Sequence, residues 1–351
     1  MTTALAGQLP ELREARVPPE ARGLARDDVR LLVASLPGGE LRHTRFAELP
    51  ELLAPGDVVV VNSSATLPAA LPAHRADGGA LALHLSTPAP DDEGDRWVVE
   101  LRRDGARVHD GRAGERLALQ GGASAELLAP YLGSRLWVAA LFLPLPLHDY
   151  LARHGEPIRY GHVDGRWPLS AYQTPYATEP GSAEMPSAGR PFSAELVTRL
   201  VARGIDVAPL LLHTGVSSLE RGERPYPERF AVSRATAERV NLARRLGGRV
   251  VAVGTTVVRA LESACDEDGL VRARSGWTDL VVEPARGVRA VDGIVSGFHD
   301  PDASHLQLLD SIAGGRVLER CYAAAAQAGY LRHEFGDLHL LLPRRTLRGV
   351  Q

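Results

Sequence analysis

The apolar pattern of the first sixty residues ends in an unbroken β-branched run, Val58 to Val61. The run follows a turn at Pro55-Gly56-Asp57 and stops at Asn62. A continuous apolar strand, without alternating polar positions, is typical of a strand covered on both faces, as in a parallel sheet. We therefore predict a buried central strand here.

Residues 67–147 show a different pattern. Short apolar runs at 81–85, 97–101 and 136–142 are separated by turns rich in Gly, Asp and Pro. Several short strands at close spacing predict a small all-β barrel or sandwich.

From about residue 150 onward, helical and strand periods alternate, and Ser193 and Ser233 stand where helix N-caps are expected. Helices are predicted at 194–203, 234–246, 256–264 and between 303 and 328, and strands at 205–213, 249–253 and 280–283. Alternation of this kind indicates an α/β layer. The predicted fold is an α/β sandwich domain, residues 1–66 and 148–351, into which residues 67–147 are inserted as a small all-β barrel domain.

The composition excludes several chemistries, because the chain of 351 residues contains no lysine and all 40 basic residues are arginines. Schiff-base catalysis and a Walker-type phosphate loop both need lysine, and the permanently protonated arginine does not replace it. With 43 acidic residues the formal net charge is −3. The protein as a whole therefore has no electrostatic attraction for nucleic acid.

Three features predict a cytoplasmic protein. No stretch approaches the ~18 uninterrupted apolar residues of a membrane-spanning helix. Residues 1–8 lack the basic segment and apolar run of a secretory signal. Cys265 and Cys321 are far apart along the chain, and we expect both to be reduced thiols.

The sharpest local motif is a strand, a glycine turn and a helix start at Gly254-Thr255-Thr256. Free N–H groups at a helix start, with two hydroxyls, suit a carboxylate or phosphate. Arg259, one turn further, could add a bidentate clamp. The alternative is that Thr255 only caps the helix and that Arg259 forms an i,i+3 surface pair with Glu262.

Three further segments have both a functional and a structural interpretation. Tyr172-Gln173-Thr174 is either a binding segment or an ordinary loop anchored by its aromatic residue. His299 is either an acid/base group or a polar cap. Asp337 follows Gly336, a pair that usually marks a turn.

Several common sites are absent from the sequence. His148, His154 and His162 lack the HxxxH spacing and the neighbouring ligands of a zinc site, so we predict no metal. There is no GxSxG nucleophile elbow and no GxGxxG dinucleotide fingerprint.

The motifs taken together resemble one family. The segment 248–264, GRVVAVGTTVVRALESA, strongly resembles the signature of the S-adenosylmethionine:tRNA ribosyltransferase-isomerase family of queuosine biosynthesis. The resemblance extends from about residue 24 to 343. It includes the segments 53–62, 160–162, 172–176, 212–215, 291–293, 298–299 and 336–337 in the family's order.

This resemblance implies a reaction and a set of site residues. The family transfers the ribosyl part of S-adenosylmethionine to 7-aminomethyl-7-deazaguanine in a tRNA anticodon, with loss of adenine and methionine. S-adenosylmethionine is then a substrate, and a base near its ribose and a clamp for its carboxylate are needed. The implied catalytic residues are His213, His299 and Asp337. The implied substrate-binding residues are Tyr172, Gln173, Thr174, Gly254, Thr255, Thr256, Arg259 and Glu262.

The chain also departs from the family's motifs. The family's arginine after the first strand is absent from Asn62-Ser63-Ser64, and its histidine is absent from the segment 185–192. Two alternatives therefore stand beside the family reaction. One is a divergent paralogue that uses S-adenosylmethionine on a small-molecule acceptor or in an altered sulfonium reaction, and the other is a non-catalytic S-adenosylmethionine-binding protein. For tRNA as a partner, the acidic net charge and the lack of any arginine run longer than a pair are unfavourable.

Overall fold

The computed structural model describes residues 9–90, 96–133, 135–216, 226–300 and 305–344. Within these ranges the chain forms twenty β-strands and seven α-helices. The strands are β1 (Arg13–Glu14), β2 (Arg30–Leu36), β3 (Glu40–Arg45), β4 (Val58–Asn62), β5 (Ser64–Thr66), β6 (Ala70–His74), β7 (Ala80–Pro88), β8 (Arg96–Arg103), β9 (Ala106–Arg107), β10 (Arg116–Leu119), β11 (Ser124–Tyr131), β12 (Leu136–Phe142), β13 (Glu179–Ser182), β14 (Asp206–Leu212), β15 (Glu228–Val232), β16 (Val250–Val253), β17 (Arg274–Thr278), β18 (Gly293–Gly297), β19 (Leu331–Arg332) and β20 (Leu338–Pro343). The helices are α1 (Leu49–Leu52), α2 (Leu147–His154), α3 (Ala194–Ala202), α4 (Arg234–Arg245), α5 (Thr255–Ser263), α6 (His305–Ala313) and α7 (Gly315–Gln327).

A nine-stranded mixed sheet forms the centre of the α/β layer, in the order β17-β15-β14-β4-β16-β18-β20-β2-β3. Its four middle strands, β14, β4, β16 and β18, run parallel, so their carboxyl ends meet at one edge. Val58 and Val60 of β4 pack into the core on one face, and Val59 and Val61 into the core on the other. The predicted central strand with two covered faces is confirmed.

Helices cover both faces of the sheet. Helices α4, α5, α6 and α7 contribute to one core, and α1 and α3 to the other. Both predicted caps are confirmed, because Ser193 Oγ accepts from Leu196 N–H and Ser233 Oγ accepts from Thr236 N–H, each at 3.1 Å. Among the residues described, no helix has the length and apolar character needed to cross a membrane.

The strand predicted at 280–283 is wrong, and the structure forms β17 just before it instead. The reason is local, since side chains take the main-chain groups of Leu280. Its N–H donates to Thr278 Oγ1 at 3.2 Å and its carbonyl accepts from Arg259 Nε at 3.0 Å. Groups bound in this way cannot join a ladder. The helices predicted between 303 and 328 are confirmed as α6 and α7, although residues 303 and 304 lie outside the described ranges.

The inserted segment forms a closed antiparallel barrel of six strands in the order β12-β11-β10-β6-β7-β8, closed by pairing of β8 with β12. The predicted fold class, α/β with an inserted all-β barrel, is confirmed. Val216 and Tyr226, from outside the insertion, also pack into the barrel core. The division at residues 67 and 147 stays a prediction, and the outer limits of the core domain, residues 1 and 351, lie outside the described ranges.

Candidate active site

The ends of the parallel strands bring three of the predicted site residues to one edge of the sheet. His213 follows β14, Gly254 follows β16 and His299 lies two residues beyond β18. Asn62, the last residue of β4, joins two of these strand ends. Its Oδ1 accepts from Leu212 N–H at 3.0 Å and its Nδ2 donates to the Leu212 carbonyl at 2.8 Å. Clefts at such edges are where α/β proteins commonly bind ligands.

His213 belongs to a buried chain of hydrogen bonds. Its Nδ1 lies 2.8 Å from Ser64 Oγ, which in turn lies 2.6 Å from Ser182 Oγ. Burial, and secondarily the positive charge of Arg229, lower the pKa of His213 to about 4. The imidazole is therefore neutral near pH 7, the state in which it can accept a proton. Ser64 lies in the segment that lacks the family's arginine. A residue of this altered segment is therefore part of the hydrogen-bonded chain at His213.

Helix α5 starts without a side-chain cap. Gly254 occupies the N-cap position with φ 90° and ψ 158°, a conformation that favours glycine, and its N–H donates to the Val295 carbonyl at 2.8 Å. Thr255 is the first helical residue, so the alternative in which it caps the helix is wrong. Thr256 Oγ1 is buried and has no hydrogen-bond partner among the described residues. A buried unpaired hydroxyl beside uncapped helix N–H groups indicates a place for a polar ligand.

Residues 188 and 189 lie between Thr174 and this helix start. A Cβ atom built on Gly189 would lie 3.2 Å from Thr174 Cγ2, and one built on Gly254 would lie 3.4 Å from Ala188 Cβ, so residues 188 and 189 bridge the two segments. Thr174 Oγ1 is likewise buried and unpartnered in the described part of the chain. Each of the two segments that contact residues 188 and 189 thus carries a hydroxyl without a partner among the described residues.

Tyr172 and Gln173, the other two residues of the predicted binding segment, make structural contacts. The Gln173 side chain accepts from Thr66 N–H at 2.9 Å and donates to the Thr66 carbonyl at 2.7 Å. The Tyr172 ring packs against Phe335 with centroids 5.4 Å apart. These contacts fix the loop that carries Thr174, which is the structural interpretation of Tyr172 and Gln173.

Arg259 does not present a free guanidinium. It forms a short ion pair with Glu228 and donates to the carbonyls of Leu280 at 3.0 Å and Thr278 at 3.1 Å. Glu228 also accepts from Gly215 N–H at 3.0 Å, which ties the segment after β14 to helix α5. Arg259 was predicted to bind the carboxylate or phosphate of a ligand, but it binds the carboxylate of Glu228 instead.

Glu262 lies on the buried side of α5 and does not pair with Arg259, so the i,i+3 alternative is wrong. Its carboxylate accepts from the Arg289 and Ala290 N–H groups at 2.7 and 2.8 Å and from Arg286 at 2.7 Å. These contacts position the segment 286–290. They do not support the prediction that Glu262 binds substrate.

His299 forms a neutral pair with a second histidine. Its ring stacks on His305 with centroids 4.5 Å apart, and its Nε2 lies 3.2 Å from Ser296 Oγ. Burial, followed by the neighbouring histidines, lowers the pKa of His299 well below its usual value. Burial, then Arg259, lowers the pKa of His305 to about 4. Sequence reasoning missed His305, because nothing in the linear pattern distinguishes it.

Asp337 has a structural position. Its carboxylate accepts from Arg30 N–H at 2.8 Å, from the Arg30 guanidinium at 2.7 Å and from Leu331 N–H at 2.9 Å. Both oxygens are therefore used to join β2 to the start of β20. The prediction that Asp337 is catalytic gains no support from these contacts.

Two more histidine sites were missed by sequence reasoning. His339 is fully buried, and neither of its ring nitrogens has a hydrogen-bond partner among the residues described. A polar residue at an inward position of the strand Leu338–Pro343 was the available signal. The second is a group formed by Glu14, His162 and His333, whose donor atoms lie within 4.8 Å of one another. Sequence reasoning missed it because the prediction of no metal site compared only residues that are close along the chain.

An α/β layer with buried, partly unpartnered polar side chains at its parallel strand ends is typical of the α/β proteins that bind ligands at this edge. A family model described as "Queuosine biosynthesis protein" matches residues 4–341. The chain is 36% identical over 344 residues to S-adenosylmethionine:tRNA ribosyltransferase-isomerase of Moorella thermoacetica, covering 95% of this chain and 98% of the relative. It is 38% identical over 336 residues to the enzyme of the same name from Anaeromyxobacter dehalogenans, covering 91% and 94%.

A solved structure agrees with these sequence matches. The S-adenosylmethionine tRNA ribosyltransferase from Thermotoga maritima aligns with a TM-score of 0.53 and 26% identity, covering 95% of this chain and 99% of that one. The chain belongs to the S-adenosylmethionine:tRNA ribosyltransferase-isomerase family, and it is an enzyme of the transferase and isomerase type.

Proposed function

We propose that the protein transfers the ribosyl part of S-adenosylmethionine to 7-aminomethyl-7-deazaguanine in tRNA and isomerises it, releasing adenine and methionine. The matched relatives are named as ribosyltransferase-isomerases of S-adenosylmethionine and tRNA, and they align over nearly their whole length. No contact among the described residues favours a small-molecule acceptor or a non-catalytic role.

The observation that carries this proposal is the helix start at Gly254-Thr255-Thr256. Its uncapped N–H groups and the unpartnered Thr256 hydroxyl bind the carboxylate at the methionine end of S-adenosylmethionine, and we call them the carboxylate seat. The unpartnered Thr174 hydroxyl, on the segment that contacts Gly189, is the second donor in this proposal. Arg259 acts indirectly, because its ion pair with Glu228 holds the helix against β15.

Proton transfer in this proposal belongs to the histidines. His213 is neutral near pH 7, and Ser64 fixes its ring through Nδ1. It accordingly serves as the base near the ribose. The stacked pair of His299 and His305 is also neutral and is the second group able to handle a proton, at the departure of adenine.

To test the proposal, the protein is incubated with S-adenosylmethionine, once with and once without tRNA that carries 7-aminomethyl-7-deazaguanine. The adenine and methionine that are released are measured by chromatography. Release of both products only with tRNA, together with the modified nucleoside in the digested tRNA, is expected. Absence of adenine release under every condition contradicts the family chemistry, and release without tRNA contradicts the acceptor.

Thr256→Val tests the carboxylate seat, because it removes the hydroxyl and keeps the shape. A hydrogen bond to a charged group contributes about 1.5–3 kcal/mol, so the KM for S-adenosylmethionine should rise about tenfold or more. Thr198→Val on the exposed side of α3 is the matched control, since Thr198 Oγ1 only bonds the Ala194 carbonyl of its own helix. An unchanged KM in Thr256→Val would remove the seat from the proposal.

A further inference from the structure

A cluster of imidazoles and carboxylates lies where three segments distant in sequence meet. Glu14 comes from β1, His162 from the loop after α2, and His333 and Glu334 from the turn between β19 and β20. One donor atom each of Glu14, His162 and His333 lie within 4.8 Å of one another. The two imidazole rings are stacked with centroids 4.3 Å apart.

Main-chain bonds hold the three segments together independently of these side chains. Strand β1 pairs with β19 in parallel, with Glu14 opposite Arg332. Ala15 N–H donates to the Arg332 carbonyl at 3.1 Å, and Asp164 N–H donates to the Arg16 carbonyl at 2.8 Å. The donor groups therefore stand on a backbone that is already assembled, as a selective binding site requires.

His333 sits in a strained backbone conformation. Its φ is 71°, in the left-handed region that non-glycine residues rarely adopt, and its carbonyl accepts from Gly336 N–H at 2.9 Å. This conformation directs the imidazole toward Glu14, whose Oε1 lies 3.6 Å from His333 Nε2. Residues held in sparsely populated conformations are concentrated at functional sites.

The charges around the cluster favour a cation. The arginines near it among the described residues are Arg332, whose Nη2 lies 3.2 Å from Glu14 and 3.1 Å from Glu11, and Arg16, which is paired with Asp164 at 2.7 Å. Glu14, Glu334 and Asp300 lie against the two histidines, and Glu11 pairs with Arg332, so the carboxylates outnumber the two arginines. An added divalent cation would reduce the excess of negative charge.

We propose that Glu14, His162 and His333 form a binding site for one divalent transition-metal ion of the zinc type. Two imidazoles and one carboxylate are a ligand set that such ions take in proteins, in contrast to the all-oxygen sets of calcium and magnesium. Glu334, 2.7 Å from His162 Nε2, fixes that ring in the manner of the carboxylates that orient metal-bound histidines. The ion would fasten the N-terminal strand to the turn that leads into Asp337.

The experiment uses the full chain after removal of metal with a chelator. Zn²⁺ is titrated by calorimetry and Co²⁺ by visible absorption, whose bands report the coordination number. One equivalent per chain is expected, together with a rise of a few degrees in Tm when Zn²⁺ is in excess, because a ligand bound only by the folded state stabilises it.

Three variants locate the site and one controls for surface histidines. His333→Asn removes the imidazole but keeps a residue that tolerates positive φ, and His162→Gln removes the second one. Both should weaken Co²⁺ binding at least tenfold, and Glu334→Gln should weaken it about tenfold. His148→Ala, at an exposed position of α2, should bind as the unaltered chain does. The proposal is overturned if binding has no defined stoichiometry, or if the His333 and His162 variants bind Co²⁺ as tightly as the unaltered chain does.

Discussion

Replacing Gly181 with alanine tests whether the position of the His213 ring matters for the reaction. Gly181 lies in β13, directly against that ring. A Cβ atom built at this position would lie 2.4 Å from Cε1 and Nδ1 of His213 and 2.7 Å from Nε2. Because ordinary contacts begin near 3.4 Å, the ring must move by the difference, about 1 Å.

The size of the effect follows from that displacement. A shift of ~1 Å in a catalytic group commonly reduces the rate by about 100-fold. The same shift breaks the 2.8 Å hydrogen bond between His213 and Ser64. Overpacking in a core costs about 1–3 kcal/mol, so the free energy of unfolding should fall by that amount while the protein still folds.

The assay measures kcat/KM for adenine release and, separately, urea unfolding. Gly38→Ala is the matched control, because its φ is not in the left-handed range and nothing lies within 4 Å of the added Cβ. Ser64→Ala is the second variant, since it removes the hydrogen bond without adding volume. If Gly181→Ala and Ser64→Ala both fold and keep kcat/KM within about twofold of the control, the assignment of His213 as the base is refuted.

Three further predictions concern buried ionisable side chains. Glu228→Gln leaves Arg259 without its counter-charge and should lower the free energy of unfolding by about 3 kcal/mol in urea; an unchanged midpoint contradicts this. Asp57→Asn should cost a similar ~3 kcal/mol, because the fully buried Asp57 accepts from both the main chain and the guanidinium of Arg249, and equal stability would show that this ion pair is dispensable. Burial lowers the pKa of His339 to about 4, so the unfolded chain takes up its proton first and stability falls as pH decreases from 6.5 toward 4. His339→Leu should reduce that slope by up to about 1.4 kcal/mol per pH unit, and identical slopes would show that His339 does not titrate in this way.

Local patterns in the sequence determined the elements and the fold class. The run Val58 to Val61 has no polar position and consists of β-branched residues, which is typical of a strand covered on both faces. Ser193 and Ser233 cap their helices because a hydroxyl placed there meets the N–H two or three residues later, whatever the rest of the chain does. Gly254 stood out in the sequence as the turn between a strand and a helix, and its φ of 90° shows why glycine is needed there.

The partners of the polar side chains were decided by the tertiary structure. Glu228 takes the guanidinium that sequence reasoning gave to a substrate, and Ser64 orients His213 from a strand about 150 residues away. Sequence alone left Thr256 as one of two adjacent hydroxyls, whereas the fold shows that its oxygen is buried without a partner. Hydrogen bonds and ion pairs form only at distances of about 3 Å. The order of strands in the sheet decides which residues come that close, and their spacing along the chain does not predict it.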